Sequence, residues 1–392
     1  MVRKTLHSFK EFYKLFTSGM TSSEIEKLVS YDTRGMYTFY VKNMPPKNPN
    51  ESRIARVMKF GWRLFVAFLV KLTPARRLFY AIAVVLIGLA FWDADLMKAL
   101  YAFLIVNFLL ALELADKLVT RDELEFARQI QLSLLPGTLI PVAGFDVASY
   151  SEVAQSVGGD YYDLLPLSDG STMVVVGDVS GKGISAALYM VKVQTALQLL
   201  VKETADPQEL LIKLNEYMCG QMKRNFFLTI SVLRVYPEGS VTYCRAGHMP
   251  ALKLDARTRV CSWLQPRGTA IGLAAADPLG VGPNGEVQSV FRDSLQTEEI
   301  TMHHGDTLVL YTDGVVESVN RAEEEFGDGR LMQVLMSSAG SSAAVVKEKL
   351  LGSLSAFRRG EELRDDTTFV VLRRIERHSE PVESDVPAYQ EN

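Results

Sequence analysis

Apolar and polar positions alternate with different periods along the 392-residue chain, and the changes of period mark its organisation. Residues 1–60 are mixed and polar, with helical stretches near 9–16 and 22–29 and a break at Pro45-Pro46. Two almost uninterrupted apolar runs follow, at 78–92 and 99–112, separated by Asp93-Ala94-Asp95. Each is shorter than the roughly 20 apolar residues that span a bilayer, and runs of this length also occur as buried core helices. Charge favours the membrane. Residues 51–77 hold seven basic side chains and one acidic one, and Arg76, Arg77, Lys117 and Arg121 flank the pair. Basic flanks outside and acidic residues between predict a helical hairpin with both ends cytoplasmic. Residues 61–72, interrupted by Arg63 and Lys71, suit an interfacial helix better than a third span.

From 113 to 135 the pattern becomes that of one charged helix ended by Pro136-Gly137, with Leu114, Leu118, Leu124, Ala127, Ile130 and Leu134 near helical spacing. The stripe is too short to define a coiled coil. Its position suits a signal-transmitting or dimerising helix and equally a helix packed on the next domain. Beyond Pro136, strand-like stretches at 145–150, 173–179, 227–235, 241–245, 307–311 and 368–372 mix with helical patterns at 184–202, 207–223, 331–338 and 342–357. The early strands follow one another through short turns and the helices come in sequential pairs. That order predicts a largely antiparallel α+β arrangement with helices outside the sheets. Residues 376–392 are acidic and poor in apolar side chains, as in a disordered tail.

Composition changes little in this picture. With 48% hydrophobic and 22% charged residues the chain is ordinary for a globular protein, and its length suggests two or three units. A net charge of −4 gives no reason to expect a nucleic-acid partner. Cys219, Cys244 and Cys261 are widely spaced, which fits reduced thiols better than disulfides or a zinc site. Five scattered histidines do not make a histidine metal centre, and the first 40 residues lack the apolar run of a cleavable leader.

Chemistry is concentrated in four acidic signatures: Val157-Gly158-Gly159-Asp160, Gly177-Asp178-Val179-Ser180-Gly181-Lys182-Gly183, Tyr311-Thr312-Asp313-Gly314 and Asp365-Asp366-Thr367-Thr368. Each Asp-Gly alone is an ordinary turn signal. Four such acidic signatures, three of them with Asp beside Gly, at strand ends of one domain can instead converge on one sheet edge and hold two hard divalent cations, Mg²⁺ or Mn²⁺. Such a pair activates water and stabilises in-line displacement at phosphorus.

These signatures resemble, in order, those of the SpoIIE/RsbU branch of the metal-dependent Ser/Thr protein phosphatases, the type 2C superfamily. Further matches are Ala127-Arg128-Gln129-Ile130-Gln131 with Leu134-Leu135-Pro136, Tyr161-Tyr162-Asp163, Ala186-Ala187 with Met190, Ala246-Gly247-His248-Met249-Pro250, Val315 with Glu317, and Glu325-Phe326-Gly327. The resemblance covers roughly residues 125–375. It implies a four-layer α/β/β/α sandwich with two metal ions at one end. On that pattern Asp178 bridges both ions and the Val179 carbonyl is a backbone ligand. Asp160 binds one ion, and Asp313 and Asp365 complete the other side. Asp366 ranks below Asp365, since the wider superfamily often carries Asn there, and Asp163 is assigned a structural role.

Two departures concern mechanism. Ser180 stands where eukaryotic relatives offer a histidine suited to general-acid work, and no arginine is evident near Asp160 to clamp a phosphate. Ser156 replaces a usual Glu with little expected effect. Lys182 is a weak substrate-side candidate. His248 has either a structural hydrogen-bonding role or one at the substrate edge.

The expected organisation is an N-terminal regulatory segment (1–60), a membrane-associated helical hairpin (61–115), a linker helix (116–135), the phosphatase domain (136–375) and the tail (376–392). The implied partner is a phosphorylated STAS-domain regulator, such as an anti-sigma-factor antagonist in bacterial partner switching. The implied location is the bacterial inner membrane with the catalytic domain in the cytoplasm, and a homodimer through the linker helix is compatible. A non-catalytic phosphoprotein-binding scaffold on the same fold is the competing reading.

Three other patterns carry nothing. Cys261 and Arg267 have cysteine-phosphatase spacing but no glycine cradle, and Pro266 removes a donor there. Gly158-Gly159-Asp160 continues into Tyr161-Tyr162 rather than a cyclase signature, and Gly181-Lys182-Gly183 lacks P-loop spacing.

Overall fold

The computed structural model describes residues 58, 61–62, 65–66, 69–70 and 72–375, except 135, 137–139, 224, 274–279, 282–286 and 289. The N-terminal segment apart from residue 58, parts of the 61–72 stretch and the acidic tail lie outside the described residues. Two units divide between Val119 and Thr120.

The first unit holds α1 (Pro74–Asp93) and the start of α2 (Leu96–Leu134). Pro74 opens α1, where its missing N–H costs nothing, and Ala94 in the left-handed region closes it. At the tight connection Lys98 pairs with Asp93 and, at 3.6 Å, with Asp95. At the opposite end Arg76 bonds Glu113 at 2.9 Å and Asp116 at 2.6 Å. Ala83 and Ala102 are buried, while Phe79, Val85, Leu100, Phe103 and many like them face outward. Both helices are long and apolar enough to cross a membrane. A contiguous exposed apolar surface of this kind marks a protein–protein or membrane interaction surface. No Gly or Pro interrupts residues 96–134, so the second apolar run and the charged stretch after it form one helix.

The second unit contains β1 (Phe145–Glu152), β2 (Asp160–Pro166), β3 (Thr172–Val179), α3 (Ile184–Leu200), α4 (Pro207–Met218) and β4 (Leu228–Val235). It continues through β5 (Ser240–Ala246), β6 (Ala251–Leu254), β7 (Cys261–Leu264), the two-residue pair β8 (Gly280–Val281) and β9 (Val287–Gln288), and α5 (Val290–Ser294). Then follow β10 (Thr297–Thr301), β11 (Thr307–Tyr311), α6 (Asp313–Val316), α7 (Gly327–Ser337), α8 (Ala343–Arg358) and β12 (Thr367–Arg374). Two five-stranded antiparallel sheets result, ordered β1-β12-β11-β6-β7 and β10-β5-β4-β3-β2.

Strand alternation builds three cores. Val174 and Val176 of β3 meet Leu308, Leu310, Val370 and Leu372 between the sheets. Met173 and Val175 turn the other way, onto Met190, Val193 and Leu197 of α3 and Leu210 and Leu214 of α4. On the far side Val309, Tyr311, Phe369 and Val371 pack under Leu331 and Leu335 of α7 and Leu350 and Leu354 of α8. The layers are therefore α/β/β/α, as the element order and the resemblance both imply. Strands covered on both faces read as unbroken apolar runs, as Met173–Val176 does. Each fully buried side chain there contributes about 1.5–3 kcal/mol, so β3 is a rigid platform for the carboxylate at its end. The antiparallel order and the outer helices match the sequence expectation. Strands β2, β6, β7 and β10 were not legible in it.

Candidate active site

Strand register brings the acidic signatures to one end of the sandwich. Asp160, the first residue of β2, stands opposite Asp178 near the end of β3, and Asp178 is in turn paired with Thr229 on β4. In the other sheet β11 and β12 are neighbours, with Tyr311 opposite Phe369. The residues just beyond β11 and just before β12 therefore emerge together: Asp313 opens α6, and Asp365-Asp366 precede Thr367. Thr312, fully buried, ties the two sheets. Its hydroxyl donates to Asp160 Oδ2 at 2.8 Å and accepts from the Thr368 N–H at 3.0 Å.

The glycines allow this approach. A Cβ on Gly158 would lie 2.1 Å from Asp366 Oδ2, and one on Gly314 would lie 1.9 Å from the Asp366 carbonyl oxygen. No side chain fits at either position. Gly158 and Gly314 thus serve close packing of the backbone against Asp366.

The carboxylates feel one another. Burial, then Asp178 and Asp366, hold the Asp160 carboxyl well above the usual range. Burial, then Asp313, Asp365 and Asp366, push Asp178 up to about 7. Asp313 is raised by burial and by Asp365, and Glu317 by burial, Asp313, Glu325 and Asp365. Asp366 is raised by burial against the opposing pull of the Ala154 and Gly159 amides. A cluster in which every anion raises its neighbours favours an added cation. The donors are all oxygen, which suits a hard divalent ion.

Among the described residues, no three His, Cys, Asp or Glu side chains stand in a finished coordinating arrangement. Three of the aspartates have other engagements. Asp160 is turned to Thr312. Asp365 accepts from Lys182 Nζ at 2.6 Å. Asp366 accepts the Ala154 and Gly159 amides, each at 2.8 Å. The donor set fits a divalent ion in its chemistry.

The other candidates fall as follows. The Val179 carbonyl lies against Gly159, where a Cβ would meet it at 2.6 Å, beside Asp178. Both Asp366 oxygens hold backbone N–H groups of the loop that leads into Asp160, so this side chain shapes the site. Asp163 is buried and accepts from the Tyr161 hydroxyl and the Leu164 amide, each at 2.8 Å. His248 is 3% exposed, with Nδ1 2.9 Å from the Thr229 hydroxyl. Burial, then Arg245, lowers its pKa to about 3, so it is a neutral interior group beneath Asp178. Lys182 lies at the surface, held between Asp365 and the Arg364 carbonyl, 2.6 Å from each.

Sequence reasoning missed two contributors. Gln131, 4% exposed, donates from Nε2 to the Gly158 carbonyl at 2.7 Å and accepts the Gly158 N–H at 3.1 Å. Its neighbour in space, Gln194 of α3, donates to the Leu134 carbonyl at 2.5 Å. The end of α2 thus grips both the Gly158–Asp160 turn and the helix that follows Asp178. The available signal was a polar residue on the stripe of Leu124, Ala127 and Leu134. Thr312 was the second, visible only once β11 and β12 are paired. Beside the aspartates lies a cleft of about 230 Å³ lined by Lys182, Gly314, Glu317, Arg358, Arg364 and Asp365, among others.

Comparison with known proteins agrees with this geometry. The family model described as Stage II sporulation protein E (SpoIIE) matches residues 168–375. The chain is 28% identical to Protein IcfG of Synechocystis sp. over 303 residues, which are 69% of this chain and 44% of that protein. It is also 28% identical to Phosphoserine phosphatase RsbU of Bacillus subtilis over 256 residues, 65% of this chain and 70% of the relative. The chain thus spans less than half of the first of these relatives. The solved SiaA-PP2C domain of Pseudomonas aeruginosa superposes with a TM-score of 0.55 at 20% identity, covering 66% of this chain and 98% of that domain. At that identity the likeness concerns the fold.

Proposed function

We propose that this chain, which belongs to the SpoIIE family, is a membrane-tethered, metal-dependent phosphatase that hydrolyses phosphoserine or phosphothreonine on a regulatory protein. One observation carries the reading: Asp160, Asp178, Asp313 and Asp365 arrive at one end of the sandwich from both sheets, with Asp178 pushed up to about 7. Similarity to a protein named phosphoserine phosphatase supports the substrate bond.

In this reading Asp160, Asp178, Asp313 and Asp365, with the Val179 carbonyl, would hold two Mn²⁺ or Mg²⁺ ions. Such ions supply an activated water and charge stabilisation at phosphorus when bound. The chain itself supplies placement. Thr312 aims Asp160, Asp366 and Gln131 fix the turn before it, and the 230 Å³ cleft gives a phosphorylated side chain room to approach.

The substrate in this reading is a STAS-domain anti-sigma-factor antagonist in a bacterial partner-switching pathway. Helices α1 and α2 would anchor the chain in the inner membrane with the catalytic domain in the cytoplasm. Their length and apolar surface support that placement. Exposed Leu114, Leu118, Phe126 and Ile130 on α2 support a homodimer through the linker helix.

The test is phosphate release from a phosphoserine peptide by the full chain in detergent micelles with Mn²⁺. EDTA and Asp178→Asn should each reduce turnover roughly hundredfold or more, the scale on which electrostatic stabilisation of a transition state acts. Unchanged turnover in either case rejects the metal mechanism. A catalytically weak phosphoprotein-binding scaffold is the second reading, favoured by the engagement of Asp365 with Lys182 rather than with other acids. Peptide binding without Mn²⁺-dependent release would establish it.

A further inference from the structure

We infer that Lys182 is an internal counter-ion that occupies the metal edge of Asp365 until an ion displaces it, and that the freed ammonium then binds the substrate phosphate. This rests on the phosphatase reading of the same site and adds to it a cation for the phosphate.

The geometry is specific. Lys182 Nζ lies 2.6 Å from Asp365 Oδ2 and 2.6 Å from the Arg364 carbonyl. An ion held by Asp365 needs that carboxylate, so loading the site and keeping this pair are in competition. The lysine can leave, since its side chain is 47% exposed and its two acceptors are at the surface. It cannot go far. Gly181 and Gly183 on either side have φ of +95° and +73°, a backbone that L side chains rarely adopt, and the second of them caps α3. The loop is tied on both sides, by the Ser180 N–H to the Phe227 carbonyl at 2.9 Å and the Ala187 N–H to the Gly183 carbonyl at 3.1 Å, which keeps the Lys182 Cα at the rim of the site while the side chain swings.

The cleft of about 230 Å³ is where it swings. Arg358 and Arg364 also line that cleft, and Arg364 is committed to Glu323 by two contacts of 2.6 Å. The Lys182 charge also acts, as a small opposing influence, on Asp178, Asp313 and Glu317. Ions on the aspartates and a phosphate in the cleft would together reverse the charge it faces: its former partner is neutralised while a new anion arrives. A lysine point charge suits this exchange, because it needs no fixed planar geometry.

The experiment uses the full chain and the variants Lys182→Gln and Lys182→Arg, with far-UV circular dichroism confirming the fold. Mn²⁺ binding is measured by electron paramagnetic resonance without substrate. Inorganic phosphate binding is measured by calorimetry at saturating Mg²⁺. Lys182→Gln should bind Mn²⁺ about two- to fivefold more tightly, the scale of one exposed ion pair removed from competition. The same variant should bind phosphate about tenfold more weakly, having lost one charge-assisted contact. Lys182→Arg should keep phosphate binding near wild type. A purely structural lysine would weaken both ligands together, and that result, or phosphate binding within twofold of wild type, overturns the proposal. Wild-type chain that binds neither ligand would instead remove the phosphatase reading itself.

Discussion

Replacing Gln131 by Ala tests whether the end of α2 holds the metal-site turn in place. The side-chain amide fills both hydrogen-bonding positions of Gly158, at 2.7 and 3.1 Å, inside the protein. Alanine removes both partners and leaves a buried N–H and a buried C=O without one. Each unsatisfied group costs about 1–3 kcal/mol, so the turn loses at least ~2 kcal/mol unless water enters. That energy corresponds to about a thirtyfold change in a local opening equilibrium. Hydrogen–deuterium exchange resolved to the peptide containing Gly158 and Gly159 should accelerate by that factor. Strands β4 and β5, remote from the turn, should keep their protection. Because Gly159 donates to Asp366 independently, the turn should loosen rather than unfold. Mn²⁺ should then bind more weakly, since Asp160 follows directly. Unchanged exchange at Gly158, or acceleration spread evenly over the domain, would refute the reasoning. The first result would mean the amide pair contributes nothing, and the second that Gln131 is ordinary core.

Thr312→Val, nearly isosteric, removes the donor to Asp160 and the acceptor of the Thr368 amide. It should cost about 1–3 kcal/mol in urea unfolding, with Thr312→Ser recovering most of it. In EDTA, Asp178 makes stability fall with rising pH. Its folded pKa of about 7 lies above its ordinary value of 3.8, so the folded chain holds the extra proton between those values and that advantage is lost as pH approaches 7. Melting curves from pH 4.5 to 7.5 should show that fall, and Asp178→Asn should flatten it; an equal slope in the variant counts against the assignment. A topology reporter inserted between Asp93 and Asp95, in the connection of α1 and α2, should face away from the cytoplasm. A cytoplasmic signal there ends the hairpin model.

What the sequence made legible follows from where each interaction is encoded. The strand Met173–Val179 is buried on both faces, so its apolar run identifies it without a partner. Asp178 at its end inherits that certainty. The strand beginning at Asp160 hides because DYYDLLP carries two interior carboxylates, one facing the site and one held by Tyr161. Its period becomes readable only when those partners are known. Strands β6 and β7 are four residues each, too short for any period to register. Likewise the division between apolar hairpin and linker helix rested on composition, and composition does not break a helix.

The same distinction separates the residues of the site. Carboxylates that are to meet a cation announce themselves by type and by adjacent glycines, because burying them together has no other common use. The groups that position them do not. Gln131, Thr312 and Asp366 act through backbone atoms more than 25 residues away in the chain, and any polar residue of suitable length at those positions would read the same in one sequence. Asp366 illustrates the consequence. By type it is a fifth ligand, whereas its two oxygens are already engaged with the Ala154 and Gly159 amides. Asn there would keep one acceptor and turn an N–H toward an amide donor. Asp366→Asn should therefore disturb the Gly158–Asp160 turn more than a simple loss of charge would. Its effect should resemble that of Gln131→Ala in hydrogen exchange rather than that of Asp365→Asn in metal titration.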